Sequence, residues 1–191
     1  MNQGNMLRLF VAVDLPEALR LKVMALAEKV SGVRWVESEQ LHITLRFLGA
    51  TPLADLKRIK ANLAEVRAPC FDLQIHGVGI FPPAKSRKPP RVLWLGLQPD
   101  SPLRELKAEI DGVLGPDPEM AGREYSPHLT LGRFTSRPRE DLNAFLVHHT
   151  DCDFGTWKVD SFHLYRSTLK REGALHEVVG SYVLKEPLPL L

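Results

Sequence analysis

The residues richest in chemistry come as a pair. His42-Ile43-Thr44-Leu45 recurs as His128-Leu129-Thr130-Leu131, an offset of 86 residues between positions 42 and 128. Imidazole titrates near neutrality, so of two histidines flanking one reacting centre, one can hold a proton while the other lacks one. Such a pair supplies a general acid and a general base. The threonine beside each offers a hydroxyl to oxygen that gains negative charge in the transition state. A phosphorus centre with attacking and leaving oxygens on opposite sides is the natural substrate of that set.

Alternation along a strand must position these groups. Across 41–48, His42, Thr44 and Arg46 share one face, and Leu41, Ile43, Leu45 and Phe47 share the other. His128 and Thr130 likewise oppose Leu129 and Leu131. Each segment therefore buries one face and offers His and Thr to a cleft floor. The offset of 86 extends to the helix-start prolines, Pro16 with Pro102 and Pro52 with Pro138.

Each half then reads strand–helix–strand–helix–strand. The first half has a strand near 7–13 and a helix over 16–30 with Leu19, Val23, Leu26 and Val30 on one face. The His42 segment follows, then a helix from Pro52 capped by Thr51 and a strand over 71–81. The second half has a strand over 91–97, a helix over 102–114 capped by Ser101, and the second motif in a strand over 125–134. A helix over 138–149 and a strand over 154–165 complete it, and a last strand over 174–184 lies outside the repeat. The expected fold class is α+β, with the repeat units, about 7–81 and 91–165, as two pseudo-symmetric lobes of one domain spanning 1–191.

Composition narrows the class. The 191 residues are 44% hydrophobic and 25% charged, ordinary globular usage that excludes a disordered, collagenous or coiled-coil chain. No apolar run approaches the roughly 18 residues of a membrane span, and no secretory leader is expected. Two cysteines, Cys70 and Cys152, form no disulfide framework, which makes a reducing cytoplasm the expected location. His148, His149, Asp151, Cys152 and Asp153 crowd together without completing a zinc spacing, so no metal is assigned to them. The net charge is only +2, but Lys85, Arg87, Lys88 and Arg91 form a local basic loop that is either solvated surface or a phosphate contact.

The segments RLFVAV, LPEALR, LHITLRFLG, PPRVLWLGL, SPHLTLGRF and LYRS resemble the two-histidine phosphoesterase superfamily, in its RNA 2′,3′-cyclic phosphodiesterase branch, also called the bacterial and archaeal 2′–5′ RNA ligase family. The likeness runs from about Leu7 to Leu184. It implies mainly antiparallel sheets with helices outside, facing each other across a central cleft. It also implies metal-independent opening of an RNA terminal 2′,3′-cyclic phosphate to a 2′-phosphate, with no cofactor. His42 would be the proton donor to the departing 3′ oxygen, His128 the proton acceptor that activates water, and Thr44 and Thr130 the holders of phosphate oxygens.

Other positions carry open alternatives. Arg133 matches an arginine that follows the second family motif, yet strict alternation points it away from His128 unless the strand bulges or ends. Arg46 contacts RNA backbone or closes a cleft-edge salt bridge. Phe10, Trp94 and Tyr165 stack a nucleobase or pack the lobes together. His76, His163 and His176 read as ordinary sheet residues, His163 alone within reach of a cleft. No phosphate-cradling glycine loop is present, so ATP-driven ligation has no support. The expected partner is an RNA end bearing a 2′,3′-cyclic phosphate, handled by a monomer with no membrane contact. The rivals are 2′–5′ joining of tRNA halves, hydrolysis of other cyclic or 2′–5′ nucleotides, and a non-catalytic RNA- or nucleotide-capture module.

Overall fold

Alternating and β-branched segments become strands, and the segments behind the prolines become short helices, in a computed structural model that describes residues 6–26, 30–120, 122–138, 140–169 and 173–186. The order is β1 (Met6–Asp14), α1 (Glu17–Met24), β2 (Val33–Trp35), β3 (His42–Pro52), α2 (Leu56–Leu63), β4 (Phe71–Phe81), β5 (Val92–Gln98), α3 (Ser101–Leu114), β6 (Leu129–Phe134), α4 (Glu140–His148), β7 (Asp153–Val159), β8 (Ser161–Leu169) and β9 (Ala174–Val183). Two sheets result, β3-β1-β8-β9 and β2-β6-β5-β4-β7, with every strand pairing antiparallel.

The repeat survives in three dimensions with an exchange. The offset carries β1 onto β5, β3 onto β6 and β4 onto β8. Yet β4 pairs with β5 of the second half, and β8 pairs with β1 of the first. The lobes are therefore not the sequence halves, because each half lends its third strand to the other. The orders β3-β1-β8-β9 and β6-β5-β4-β7 match place for place, with β9 flanking β8 as β7 flanks β4. Helices cross over too: α3 packs on β3 beside α2, and α1 packs on β7. Phe145 of α4 meets Trp35 of β2 edge-on at 6.2 Å. One continuous cluster, from Leu9, Val11, Ile43 and Leu45 through Leu103 and Ile110 to Leu73, Leu93, Leu129 and Phe145, joins both sheets to their helices. With this exchange, separating the two sequence halves means unpairing β4 from β5 and β8 from β1 as well as exposing core.

Several boundaries differ from the sequence reading. The strand expected over 154–165 is two strands that cross from one sheet to the other at Asp160, whose carbonyl accepts the Leu184 N–H at 2.7 Å. Alternating hydrophobicity runs straight through that corner and hides it. The helix expected over 16–30 is helical over 17–24, and 27–29 lie outside the described residues. Thr51 caps nothing; its hydroxyl lies 3.4 Å from the carbonyls of Leu48 and Gly49 within β3. Ser101 is the first residue of α3, and Asp100 holds the position before it. The second motif strand starts at Leu129, not 125, since Pro127 has no N–H to give a ladder.

Candidate active site

Both motif strands break their alternation, and they break it at equivalent residues. Along β1 and β3, Ala12 faces Thr44 but Val11 faces Arg46, so Leu45 is the extra residue of a bulge. Along β5 and β6, Trp94 faces Thr130 but Leu93 faces Gly132, so Leu131 is the extra residue there. Positions 45 and 131 stand at the repeat offset. Past each bulge the faces swap, which sends Phe47 and its counterpart Arg133 onto the faces of Thr44 and Thr130.

The swap overturns the expectation that Arg46 shares the histidine face. Arg46 is 5% exposed and is bonded to Asp111 Oδ1 at 2.9 Å, the Gly115 carbonyl at 2.6 Å and the Pro116 carbonyl at 3.0 Å. It is a structural cation behind the sheet, and of its two readings the salt bridge is the one formed. Phe47, read as a core residue, is 47% exposed and lines the cleft. Sequence reasoning missed it because a bulge is invisible to a period-two pattern.

Between the sheets lies a cleft of about 670 Å³. Its lining brings together His42, Thr44, His128, Thr130, Arg133 and Phe10. Both histidines are held alike. His42 Nδ1 lies 2.7 Å from the Gln40 carbonyl, and His128 Nδ1 lies 2.8 Å from the Ser126 carbonyl, again two residues upstream. A carbonyl only accepts, so each ring carries its proton on Nδ1 when neutral. Nε2 is left as the lone-pair nitrogen, without a hydrogen-bond partner among the described residues. Gln40 itself is anchored, its side-chain amide donating to the Ala174 carbonyl of β9 at 2.7 Å.

Burial pulls the histidines toward the neutral form. His42 is lowered to about 4, first by desolvation and then by the nearby His176, while the Gln40 carbonyl and Asp14 pull upward. His128 is also lowered, mainly by burial, with the Ser126 carbonyl opposing and Arg133 adding to the depression.

One hydrogen bond ties the two motifs across the cleft. Tyr125 Oη, three residues before His128, donates to the Thr44 carbonyl at 2.9 Å. The Tyr125 carbonyl accepts from Arg104, and its ring lies 5.6 Å from Lys107 Nζ. Lys107 in turn bonds Asp111 at 2.9 Å and Asp117 at 3.0 Å, and Asp111 holds Arg46. A buried polar chain thus runs from β3 through α3 back to the segment that precedes His128.

The aromatic candidates sort differently from the sequence reading. Phe10 lines the cleft but is only 3% exposed, with Tyr165 stacked on it at 5.0 Å and His42 at 4.8 Å. Tyr165 gives its hydroxyl to Asp14 and does not line the cleft. With their ring faces covered, both pack the site and neither offers a platform for a base. Trp94 packs against Phe81 at 5.0 Å and lies over Gly79, where any Cβ would fall 2.2 Å from the indole. Phe81 also meets His128 edge-on at 5.0 Å.

His176 is more than an ordinary sheet residue. It lines the cleft, its ring centre 5.4 Å from that of His42, and its Nδ1 is buried without a hydrogen-bond partner among the described residues. His163 bonds Ser181 instead, and His76 lies beside Gln98 outside the cleft. Among the described residues no three His, Cys, Asp or Glu side chains converge as a metal site, and no helix is long and apolar enough to cross a membrane.

Comparison with known proteins places these features in a lineage. A sequence model of the 2′-5′ RNA ligase superfamily matches residues 14–171. The RNA 2′,3′-cyclic phosphodiesterase of Archaeoglobus fulgidus is 34% identical over 174 residues, covering 90% of this chain and 97% of that protein. Its namesake from Methanocaldococcus jannaschii is 34% identical over 180 residues, covering 92% and 100%. Among solved structures, a Thermus thermophilus protein superposes with a TM-score of 0.71 at 30% identity over 94% of this chain and 98% of its own. E. coli LigT complexed with 3′-AMP superposes at 0.73 with 26% identity, covering 96% and 100%. With two exchanged antiparallel sheets and a match over most of its length, the chain belongs to the 2′-5′ RNA ligase superfamily.

Proposed function

We propose that this protein hydrolyses the 2′,3′-cyclic phosphate at an RNA end, leaving a 2′-phosphate and a 3′-hydroxyl, and that it does so without a metal. The observation that carries this reading is the convergence of two His-x-Thr segments on one cleft, each histidine fixed through Nδ1 so that Nε2 is the working nitrogen. The relatives that bear the name RNA 2′,3′-cyclic phosphodiesterase support the substrate class.

In this mechanism the cyclic phosphate lies between the motifs, its non-bridging oxygens accepting from Thr44 and Thr130. His128, neutral, takes a proton through Nε2 from the attacking water as the new P–O bond forms. His42, protonated on Nε2, gives that proton to the 3′ oxygen as the P–O3′ bond breaks. Arg133 neutralises charge gathering on the phosphoryl oxygens. Burial holds His42 neutral in the empty cleft, so it takes up a proton from solvent as the anionic substrate binds, whose charge favours the imidazolium. Phe47, the exposed aromatic of the wall, stacks the terminal base.

The test uses a short RNA with a labelled 2′,3′-cyclic phosphate in EDTA, with wild type, His42→Ala and His128→Ala compared. A 2′-phosphate from wild type alone supports the reading, with each histidine worth about 10²–10⁴-fold. Full turnover in either variant, or dependence on added metal, overturns it. Binding without turnover in all three proteins would instead identify a capture module. Adding an RNA with a 5′-hydroxyl separates hydrolysis from 2′–5′ joining by product ratio.

A further inference from the structure

Across the cleft from the second motif, the wall built by β1, β8 and β9 carries three polar side chains in one row. Ser167 and His176 face each other on the antiparallel pair β8–β9, so their side chains leave the same face of the sheet. Leu9 faces Arg166 on the pair β1–β8, and the next step of that register sets Arg8 beside Ser167. Arg8, Ser167 and His176 all line the cleft. The exposed Arg8 guanidinium and the Ser167 hydroxyl make no hydrogen bond or ion pair among the described residues, whereas Arg46 and Arg104 each hold an aspartate. His176 presents a donor as well. Its Nδ1 is buried with no acceptor, so a proton there would be orphaned, and the neutral ring carries its proton on Nε2. Burial keeps the ring neutral. That is the reverse of His42 and His128, whose Nε2 atoms present lone pairs. Of the carboxylates lining the cleft, Glu37 accepts the Gln40 N–H, and Glu119 lies beside Gly49, on the β3 side of β1. Three unpaired donors in one row, one of them a guanidinium, make an anion site.

We propose that Arg8, Ser167 and His176 hold the phosphodiester on O5′ of the terminal nucleoside, so that the cleft binds one backbone linkage beyond the cyclic phosphate. This rests on the function proposed above, which puts the reacting phosphate between the histidine–threonine pairs with Arg133 upon it. The row begins where that site ends. The His176 ring centre is 5.4 Å from that of His42 and 5.0 Å from that of Phe10. Phe47, the proposed base contact, faces Phe10 across β1–β3, two residues along β1 from Arg8. Alternate residues of a strand share a face and stand roughly 7 Å apart. A nucleoside with its base on Phe47 and its cyclic phosphate beside His42 therefore has its O5′ within reach of the same row. A free cyclic mononucleotide leaves the row empty, so the row favours RNA ends.

Titration calorimetry with adenosine 2′-phosphate, adenosine 2′,5′-bisphosphate and the dinucleotide ApA bearing a terminal 2′-phosphate tests the row without requiring turnover. Wild type binds the bisphosphate and the dinucleotide about tenfold to a hundredfold more tightly than the monophosphate, the worth of one charge-assisted contact. Arg8→Ala, checked for folding by circular dichroism, loses that advantage. His176→Phe, which keeps a ring without a donor, reduces it, and His176→Gln, which restores an N–H near the place of Nε2, recovers it. Arg133→Ala weakens all three ligands and keeps their ratio, since its contact is to the phosphate they share. Equal affinities in wild type, or an advantage that survives Arg8→Ala, overturn the proposal. An advantage lost in Arg133→Ala but not in Arg8→Ala overturns it too. A gain for the bisphosphate but none for the dinucleotide overturns the backbone-linkage assignment. Turnover of adenosine 2′,3′-cyclic phosphate, measured in parallel, reports on the proposed activity separately.

Discussion

Replacing Arg46 by Met separates what strand periodicity implies from what the bulge at Leu45 imposes. The guanidinium is 5% exposed and makes one ion pair, to Asp111, and two hydrogen bonds, to the Gly115 and Pro116 carbonyls. Met keeps the volume and removes every donor. Asp111 retains Lys107 at 2.9 Å, so its charge is not stranded, but two carbonyls lose their partner. Breaking a buried charged network of this kind costs about 3–5 kcal/mol. For a chain of this length each kcal/mol lowers Tm by about 2–4 °C, which gives a fall of about 6–20 °C. The assay pairs thermal unfolding with initial rates on a cyclic-phosphate substrate well below the transition. The expected result is a large loss of Tm with the rate of the folded protein kept within about threefold. An unchanged Tm with a rate loss of tenfold or more would mean that Arg46 reaches the substrate, and the reasoning from the bulge would fall.

The remaining predictions concern the cleft itself. Tyr125→Phe deletes the bond to the Thr44 carbonyl, costing about 0.5–1.5 kcal/mol of stability; unfolding midpoints should fall by a few degrees while kcat falls more than KM rises, and unaltered kcat would deny the cross-cleft link. Both histidines are depressed below 6.5, so the kcat/KM profile should be bell-shaped, with protonation silencing the base on the acid limb and deprotonation silencing the acid on the other, and with both limbs below pH 6.5. A profile that stays flat up to pH 8 would contradict this. Removing the His176 imidazole with His176→Phe takes away a depressing neighbour, and the limb belonging to His42 should move to higher pH. Phe47→Ala should raise KM for base-bearing substrates by about 1–3 kcal/mol of lost stacking and leave an abasic ribose cyclic phosphate unaffected; equal loss on both would remove the base from that wall.

The repeat made much of the fold legible. His42 with His128 and the paired prolines mark equivalent strands and helix starts, because local periodicity and turn chemistry are properties of short segments. The exchange of β4 and β8 is not a local property. Leu73 and Ile75 announce that β4 is buried, but nothing in them says which neighbour supplies its ladder. The crossing at Asp160 is hidden for the same reason. Within the site, the legible residues are those before the bulges. His42, Thr44, His128 and Thr130 face the cleft as alternation dictates, whereas Arg46 and Phe47 trade places after Leu45. Arg133 gains the cleft by the equivalent event at Leu131. A bulge arises from pairing between strands, and one strand's sequence does not contain it.

Symmetry alone cannot produce directional proton transfer, since equivalent histidines in equivalent pockets would have equal claims to the proton. The asymmetry must come from groups that differ between the halves in identity or placement: Asp14 recurs as Asp100, but Asp100 holds Arg104, and Pro90 and Phe47 stand at the offset from His176 and Arg133. Around His42, His176 and Arg20 oppose the imidazolium and Asp14 favours it, the effect of His176 being larger than that of Asp14. Around His128 stands Arg133, which favours the neutral ring. Asp14 is itself held by the Tyr165 hydroxyl, and Arg20 approaches it at 3.8 Å. In the empty cleft both sets of neighbours therefore leave their histidine depressed toward the neutral form, and under the proposed function the His42 imidazolium depends on the charge of the phosphate that binds beside it. In the mechanism proposed above, His128 takes the proton of water and His42 gives one to the 3′ oxygen. Under the proposed function the offset pair Phe47 and Arg133 also sets the substrate's direction, a base contact at one position and charge at the other. On that reading, proton flow and substrate orientation both follow from positions at which the two halves of the repeat differ.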